Sequence, residues 1–451
     1  MGRERRQRRH QHHHSPANQT QGELLVAGAG NRQTLLAARH GASTGGVDWR
    51  LYAKRVDLRH TATATDAAVN DASQFSQVGF RADRKLGDDH FTLQGDAYRG
   101  QRDQSLPGSI AIAGVKLDLG TIALAGANVL ARWDRRLGGD ASLTLQAYYD
   151  HTQRTIPPTF AQTLDIVDLQ LQHTFKPGAA HTLAWGAALR HAMDDVTNSV
   201  YIAFLPARLN QTWASVFAQD EIALQGDLRL TLGARLERND YTGVEWLPNL
   251  RLAWKPAVDH LLWAGASRTV RAPSRLDRDT FVPGQAPFVL TGGPGVRSET
   301  ARVYELGYRG QPTPASSLSV SVFHGDYDHL RSQELAASRS SVFFANGMQG
   351  TVRGLEAWGS YQLGPAWRVH GGYSRLLQRL ELKPGSTDST SVAGAQGANP
   401  GRQWRLRSAW DLTRQVELDA TMRYVAALGA PRVPSYLALD ARLAWRLQPK
   451  V

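Results

Sequence analysis

Between Val270 and Thr300 the chain gathers Arg271, Arg275, Asp277, Arg278, Phe281 and Arg297 in a stretch rich in Gly, Pro, Ser and Asp. Guanidinium groups beside aromatic rings suit an anionic, partly aromatic ligand, held by charge-assisted hydrogen bonds and cation–π contact. The same arginines would equally serve phosphates at a membrane surface, or one another's Asp partners. These six residues are the candidate ligand contacts.

Residues that could make or break bonds are harder to find. His-Glu-x-x-His and Gly-x-x-x-x-Gly-Lys-Ser/Thr do not occur. Gly-x-Ser-x-Gly occurs at Gly41-Ala-Ser-Thr-Gly45, but between two strand patterns, whereas a nucleophile elbow needs a strand before it and a helix after. The pairs Asp88/Asp89 and Asp194/Asp195 read as turn and loop solvation rather than an acid–base dyad. Asp326 and Asp328 read as a solvated rim, with calcium or ligand contact as the sharper alternative. The chain has no cysteine, which removes disulfides and thiolate metal sites. No catalytic residue, metal or cofactor is expected, and the protein reads as a non-enzyme.

The elements that would carry the candidate loop have a side-chain period of two. In Asp227-Leu-Arg-Leu-Thr-Leu-Gly-Ala-Arg-Leu-Glu237, Leu228, Leu230, Leu232, Ala234 and Leu236 share one face, and Arg229, Thr231, Arg235 and Glu237 the other. Helical spacing is not sustained anywhere, and no run approaches the ~18 apolar residues of a membrane helix. The mean hydropathy of −0.38 is compatible with a membrane barrel, whose strands hide only alternate residues in lipid.

About twenty strands are predicted: 23–29, 33–40, 47–58, 74–84, 89–99, 122–135, 141–153, 163–176, 181–192, 211–224, 227–241, 246–256, 259–269, 300–311, 316–329, 350–363, 366–379, 402–413, 415–427 and 435–447. Tight connections such as Gly138-Gly139-Asp140 and Gly226-Asp227 carry hairpin residues. They alternate with long segments at 100–121, 154–162, 193–210, 270–299 and 380–401. Short turns on one rim and long loops on the other predict an all-β fold, a transmembrane antiparallel β-barrel. Trp254, Trp263, Trp358, Trp367, Trp404, Trp410 and Trp445, with Tyr148, Tyr149, Tyr361 and Tyr424, fall near block ends, as headgroup-level girdles do. The competing reading, a soluble all-β module with two packed sheets, would have turns of similar length at both ends.

The net charge is +12, of which Met1 to His14 supply +4 through five Arg and one Glu. The remainder reads as Arg-rich codon usage or as a lumen tuned to anionic ligands. Dispersal of Arg at alternate strand positions, without a compact basic patch, argues against nucleic acid.

At Leu247-Pro-Asn-Leu-Arg-Leu-Ala-Trp-Lys-Pro256 and Leu262-Trp-Ala-Gly-Ala-Ser-Arg-Thr-Val-Arg-Ala-Pro-Ser274 the chain resembles the mid-barrel strands of TonB-dependent outer-membrane receptors. Tyr304-Glu-Leu-Gly-Tyr308, Phe323-His-Gly-Asp-Tyr-Asp-His-Leu-Arg331 and Val352-Arg-Gly-Leu-Glu356 add to it, and the resemblance spans roughly residues 18–447. It implies a 22-stranded barrel in the bacterial outer membrane, of which about 20 strands are present. A separate N-terminal plug would close the barrel and carry a box that pairs with TonB. The function implied is energy-coupled uptake of a scarce nutrient such as a ferric siderophore, haem or cobalamin, by a monomer bathed in outer-membrane lipid and lipopolysaccharide. A passive porin-like channel is the alternative.

The ends carry expectations of their own. Residues 1–22 read as a non-barrel segment and 23–451 as the receptor barrel, C-terminally incomplete by two strands and lacking the plug, TonB box and signal peptide. In GC-rich codons, a plug ending in Trp-Gly-Ala-Asn-Ala-Val-Asn-Gly-Val-Ile-Asn-Ile-Ile, read after dropping two bases, yields the run from Gly2 to His13. Met1 to His14 is therefore expected to be an out-of-frame remnant of the plug's end, ahead of an expression tag, a metal-binding His tract or a basic arm.

Overall fold

The computed structural model describes residues 15–446 apart from Ala64, Pro107 and Ala113, so the run Met1 to His14 lies outside the described residues. Twenty long strands follow one another around a single wall. The first nine are β1 (Gly22–Ala29), β2 (Gln33–Thr44), β3 (Val47–Leu58), β4 (Ser73–Leu86), β5 (Asp89–Arg102), β6 (Ile122–Gly138), β7 (Ala141–Ile156), β8 (Phe160–Gly178) and β9 (His181–Thr197). Then come β10 (Arg208–Ala223), β11 (Leu228–Asn239), β12 (Gly243–Ala257), β13 (His260–Arg271), β14 (Glu299–Thr313) and β15 (Ser316–Leu335). The series ends with β16 (Val342–Gly364), β17 (Trp367–Leu382), β18 (Arg402–Asp411), β19 (Val416–Val425) and β20 (Tyr436–Trp445).

Each strand pairs antiparallel with the next, from β1–β2 to β19–β20. Among the described residues no ladder joins β20 back to β1. All twenty predicted blocks coincide with these strands, and several strands extend beyond the alternating core of the block, β16 starting at Val342 rather than 350.

One rim has connections of two to four residues, at 45–46, 87–88, 139–140, 179–180, 224–227, 258–259, 314–315, 365–366 and 412–415. Gly45 and Gly46 sit at φ 61° and 76°, the left-handed pair that a two-residue hairpin turn needs to match strand twist. The other rim carries connections of three to twenty-seven residues, the longest being 272–298. The expected long segment at 154–162 is instead a three-residue turn, because β7 and β8 continue to Ile156 and from Phe160.

A protein whose sequence sorts side chains by parity has almost no conventional core. Leu232, Leu236, Leu250, Leu306 and Val322 stand 37–60% exposed on one face of the wall, where lipid would cover them. Buried apolar clusters occur only at the long-loop rim. One joins Val196, Ile202, Phe204 and Val282 with Ile112, Phe160 and Leu290; the other joins Leu330, Met348 and Leu380 with the helix Ser391–Gly397.

Parity also corrects the aromatic assignment. Trp254, Trp367, Trp410, Trp445 and Tyr361 stand outward near the tight-turn rim, and Trp367 stacks on Trp410 at 5.3 Å. Trp263, Trp358 and Tyr148 share the register face of inward residues and line the interior. Proximity to a block end identified depth, and only odd-even position within the strand identifies the side.

The described chain begins inside. The Ala17 N–H donates to Asp83 at 2.8 Å, Arg50 donates to the Ser15 carbonyl at 2.6 Å, and Ala17 is fully buried. Gly41 permits this approach, since a Cβ there would lie 2.3 Å from the Thr20 carbonyl oxygen. Gly41 to Thr44 end β2 and Gly45 opens the turn to β3, so the Gly-x-Ser-x-Gly match is a strand and hairpin, with no helix after it.

Candidate ligand site at the long-loop rim

The 272–298 connection is folded over the interior by short ladders. Thr280–Val282 pairs with Ala203–Phe204 on one side and Leu290–Thr291 on the other, and Leu290–Thr291 runs parallel to Val342–Phe343 at the start of β16. The loop is thereby tied to the 198–207 connection and to the wall. A four-residue helix, Arg275–Arg278, begins it; Asp277 accepts hydrogen bonds from the Ser274 backbone N–H and hydroxyl, both at 2.9 Å. Such a cap satisfies donors that a helix start leaves unpaired.

Asp277 is the hub. It is fully buried and receives Arg271 at 3.0 Å and Arg331 at 2.7 Å. Glu299, also buried, receives the second edge of Arg271 at 2.9 Å and the Arg331 backbone N–H at 2.9 Å. Burial alone would push the Asp277 carboxyl up. The Ser274 N–H and the two guanidinium groups outweigh it and hold the pKa down to about 2.

Arg275 forms a second knot. It reaches Asp194 at 2.9 Å and Asp279 at 3.2 Å, donates to the Pro206 carbonyl, and lies 5.6 Å from the Phe204 ring centroid. The Tyr241 hydroxyl donates to Asp279, and burial together with that bond pushes the phenol's pKa up. Arg278 donates to the Tyr241 carbonyl at 2.6 Å and to the Pro294 carbonyl, and lies over the Tyr241 ring at 4.8 Å.

Of the six sequence candidates, Arg271, Arg275 and Asp277 are brought together inside the loop and hold it on the wall. Phe281 packs on Phe288 at 4.9 Å. Arg297 is apart from them: its backbone is pinned by Asn346 at 2.6 Å, and the residue is exposed beside His329, Phe343 and Phe344, lining a cavity of about 420 Å³. Four partners escaped the sequence reading: Asp194, Asp279, Glu299 and Arg331. Asp194 was read as loop solvation, yet it is 7% exposed because β9 runs on to Thr197. Its even position on β9, shared with inward Arg190, was the available signal.

Beneath the loop lies a cavity of about 1090 Å³, with Arg190, Arg235, Asp168 and Glu237 on the strand walls and Arg275 and Leu276 above. Its charges are paired along or across strands: Arg190 with Asp168 at 2.8 Å and Arg235 with Glu237 at 2.9 Å. Among the described residues no cluster of three or more His, Asp or Glu is arranged to hold a metal ion.

A meandering antiparallel wall, apolar outside, polar inside and roofed at one rim by packed loops, defines a transmembrane β-barrel with a ligand-facing mouth. The chain belongs to the TonB-dependent receptor-like β-barrel family, whose model matches residues 15–451. It is 25% identical over 232 residues to the ferric enterobactin receptor of Pseudomonas aeruginosa, a match covering 47% of this chain and 30% of that receptor. The chain thus spans under a third of that relative's length in alignment. Its fold is similar to the crystal structure of a ferric enterobactin receptor mutant from the same organism, with TM-score 0.74, 15% identity, and 95% and 72% of the two chains covered. It is likewise similar to the FrpB iron transporter of Neisseria meningitidis, with TM-score 0.75, 13% identity, and 94% and 74% covered.

Proposed function

We propose that this chain is the barrel of a bacterial outer-membrane receptor that takes up a ferric siderophore, with TonB as the energy-transducing partner of the intact receptor. The observation that carries the reading is the family match over residues 15–451, joined to a long-loop rim rich in Arg. The ferric enterobactin receptor of Pseudomonas aeruginosa has been crystallised in complex with enterobactin, which makes an anionic, aromatic iron chelate the ligand class to test. Arg297, exposed beside Phe343 and Phe344, is the contact the site offers most directly. Arg271, Arg275, Asp277 and Arg278 shape the loop that presents it, and Phe281 stiffens it. The receptor acts as a monomer and changes no bond in its ligand.

The test is quenching of tryptophan fluorescence in the detergent-folded full chain by a ferric catecholate chelate. Saturable quenching that weakens at least fivefold in Arg297→Ala supports the reading. Large steady currents in a planar bilayer, with no saturable quenching, would favour the porin-like channel instead.

A further inference from the structure

We infer that the outer wall of β13 to β18 carries a built site for the phosphates of a phosphorylated lipid, in the leaflet level with the long-loop rim. Register places Arg268, Arg302, Arg353, Arg375, Arg379 and Arg402 on the same outward face as Leu262, Leu306, Val322 and Leu355. Within seven residues of each tight turn, no outward position of β12 to β18 is Arg or Lys; Trp254, Leu318, Tyr361, Trp367 and Trp410 stand there instead. The charge is therefore confined to one end of the lipid-facing wall. Arg or Lys on that face costs about 2–4 kcal/mol at the bilayer midplane and close to none at the headgroups.

The band is not neutralised by the protein. Arg302, Arg375 and Arg379 are exposed and have no ion-pair partner among the described residues. Arg268 stands directly opposite Arg302 across the β13–β14 ladder, an arrangement of like charges that is unfavourable without an anion between them. Arg268 does reach Glu245 at 3.3 Å, Arg353 donates to His324 at 3.2 Å, and Arg402 lies 5.6 Å from the Tyr424 ring centroid. The acids on this face are engaged elsewhere: Asp326 with His324 at 2.9 Å and Asp328 with Lys383 at 2.5 Å. What remains is a row of guanidinium forks facing acyl chains below and headgroups above, the geometry that bidentate phosphate binding requires. A phosphate on a lipid is the occupant because the apolar strip below the arginines would take its chains.

The inference rests on the outer-membrane reading, but its test needs no iron chelate, so failure of either leaves the other standing. The delipidated full chain in detergent is titrated with diphosphorylated lipid A, with its dephosphorylated form, and with inorganic phosphate. The combined variant Arg302→Gln, Arg353→Gln and Arg375→Gln is compared with an inward control, Arg368→Gln, Arg405→Gln and Arg423→Gln, which removes the same charge. The expected result is tight binding of lipid A, at least tenfold weaker in the outward variant and for the dephosphorylated lipid, within twofold in the control, and resistant to millimolar phosphate. Equal loss in the control, no loss in the outward variant, undiminished binding of dephosphorylated lipid, or displacement by inorganic phosphate would each overturn it. If the combined variant does not fold, Arg302→Gln and Arg375→Gln singly are expected to weaken binding about threefold each, and no change in either refutes the site.

Discussion

Asp277 shows what the candidate loop needs in order to exist. A carboxyl group whose folded pKa lies near 2, against about 3.9 in an unfolded chain, contributes stability that is fully present above pH 4. It is lost as pH falls toward 2, and the difference is worth about 2 kcal/mol. Hydrogen exchange of the 272–298 segment is therefore expected to be slow from pH 7 to 5 and to rise steeply below pH 4, while exchange in β6 to β9 changes little. Asp277→Asn should produce the same loosening at neutral pH, by about 2 kcal/mol, since it leaves Arg271 and Arg331 facing a group that no longer compensates them. Both arginines remain about a third exposed, which keeps the loss below that of a fully buried pair. Arg297→Ala makes the opposite forecast: ligand quenching weakens and loop protection stays, because only its backbone is bonded to Asn346.

At the scale of the strand, the sequence was most legible where parity was strict. β11 alternates Leu228, Leu230, Leu232, Ala234 and Leu236 against Arg229, Thr231 and Arg235, and the ladder to β12 places those two sets on opposite faces. Leu232→Arg should destabilise the folded barrel by about 2–4 kcal/mol, while Thr231→Arg should cost less than 1 kcal/mol. Denaturant titration of the detergent-folded protein, followed by heat-modifiable migration, distinguishes them. Legibility fell off where strands rise past the alternating stretch. β9 beyond Ala192 and β15 beyond His329 carry Asp194 and Arg331 into the rim, and a bulge between Tyr327 and Leu330 resets the parity there. The short ladders at Ala203–Phe204, Thr280–Val282 and Leu290–Thr291 gave no periodic signal at all, because two or three residues cannot show a period.

The whole molecule explains why loop residues were recognisable by type but not by role. Wall strands are defined by local alternation, so each could be read alone. The ties among Asp277, Arg271, Glu299 and Arg331 join segments up to 60 residues apart, and only closure of the wall brings them together. Arg-rich composition was thus visible, while its division into internal ties around Asp277, an exposed Arg297 and an outward band on β13 to β18 was not. The same division accounts for a chain of net charge +12 that keeps its interior charges paired in the cavity below the loop. All of these roles depend on one physical fact, that alternate residues of every strand face different solvents.

The natural absence of cysteine allows that fact to be measured without background. Single cysteines placed in turn from Leu230 to Leu236 on β11 are treated with a membrane-impermeant maleimide, with the folded protein in lipid vesicles and both rims accessible. Fast labelling at 231, 233 and 235 with protection at 230, 232, 234 and 236 is the expected result. Uniform labelling, or protection recurring every three to four residues, would contradict the barrel and the transport role built on it.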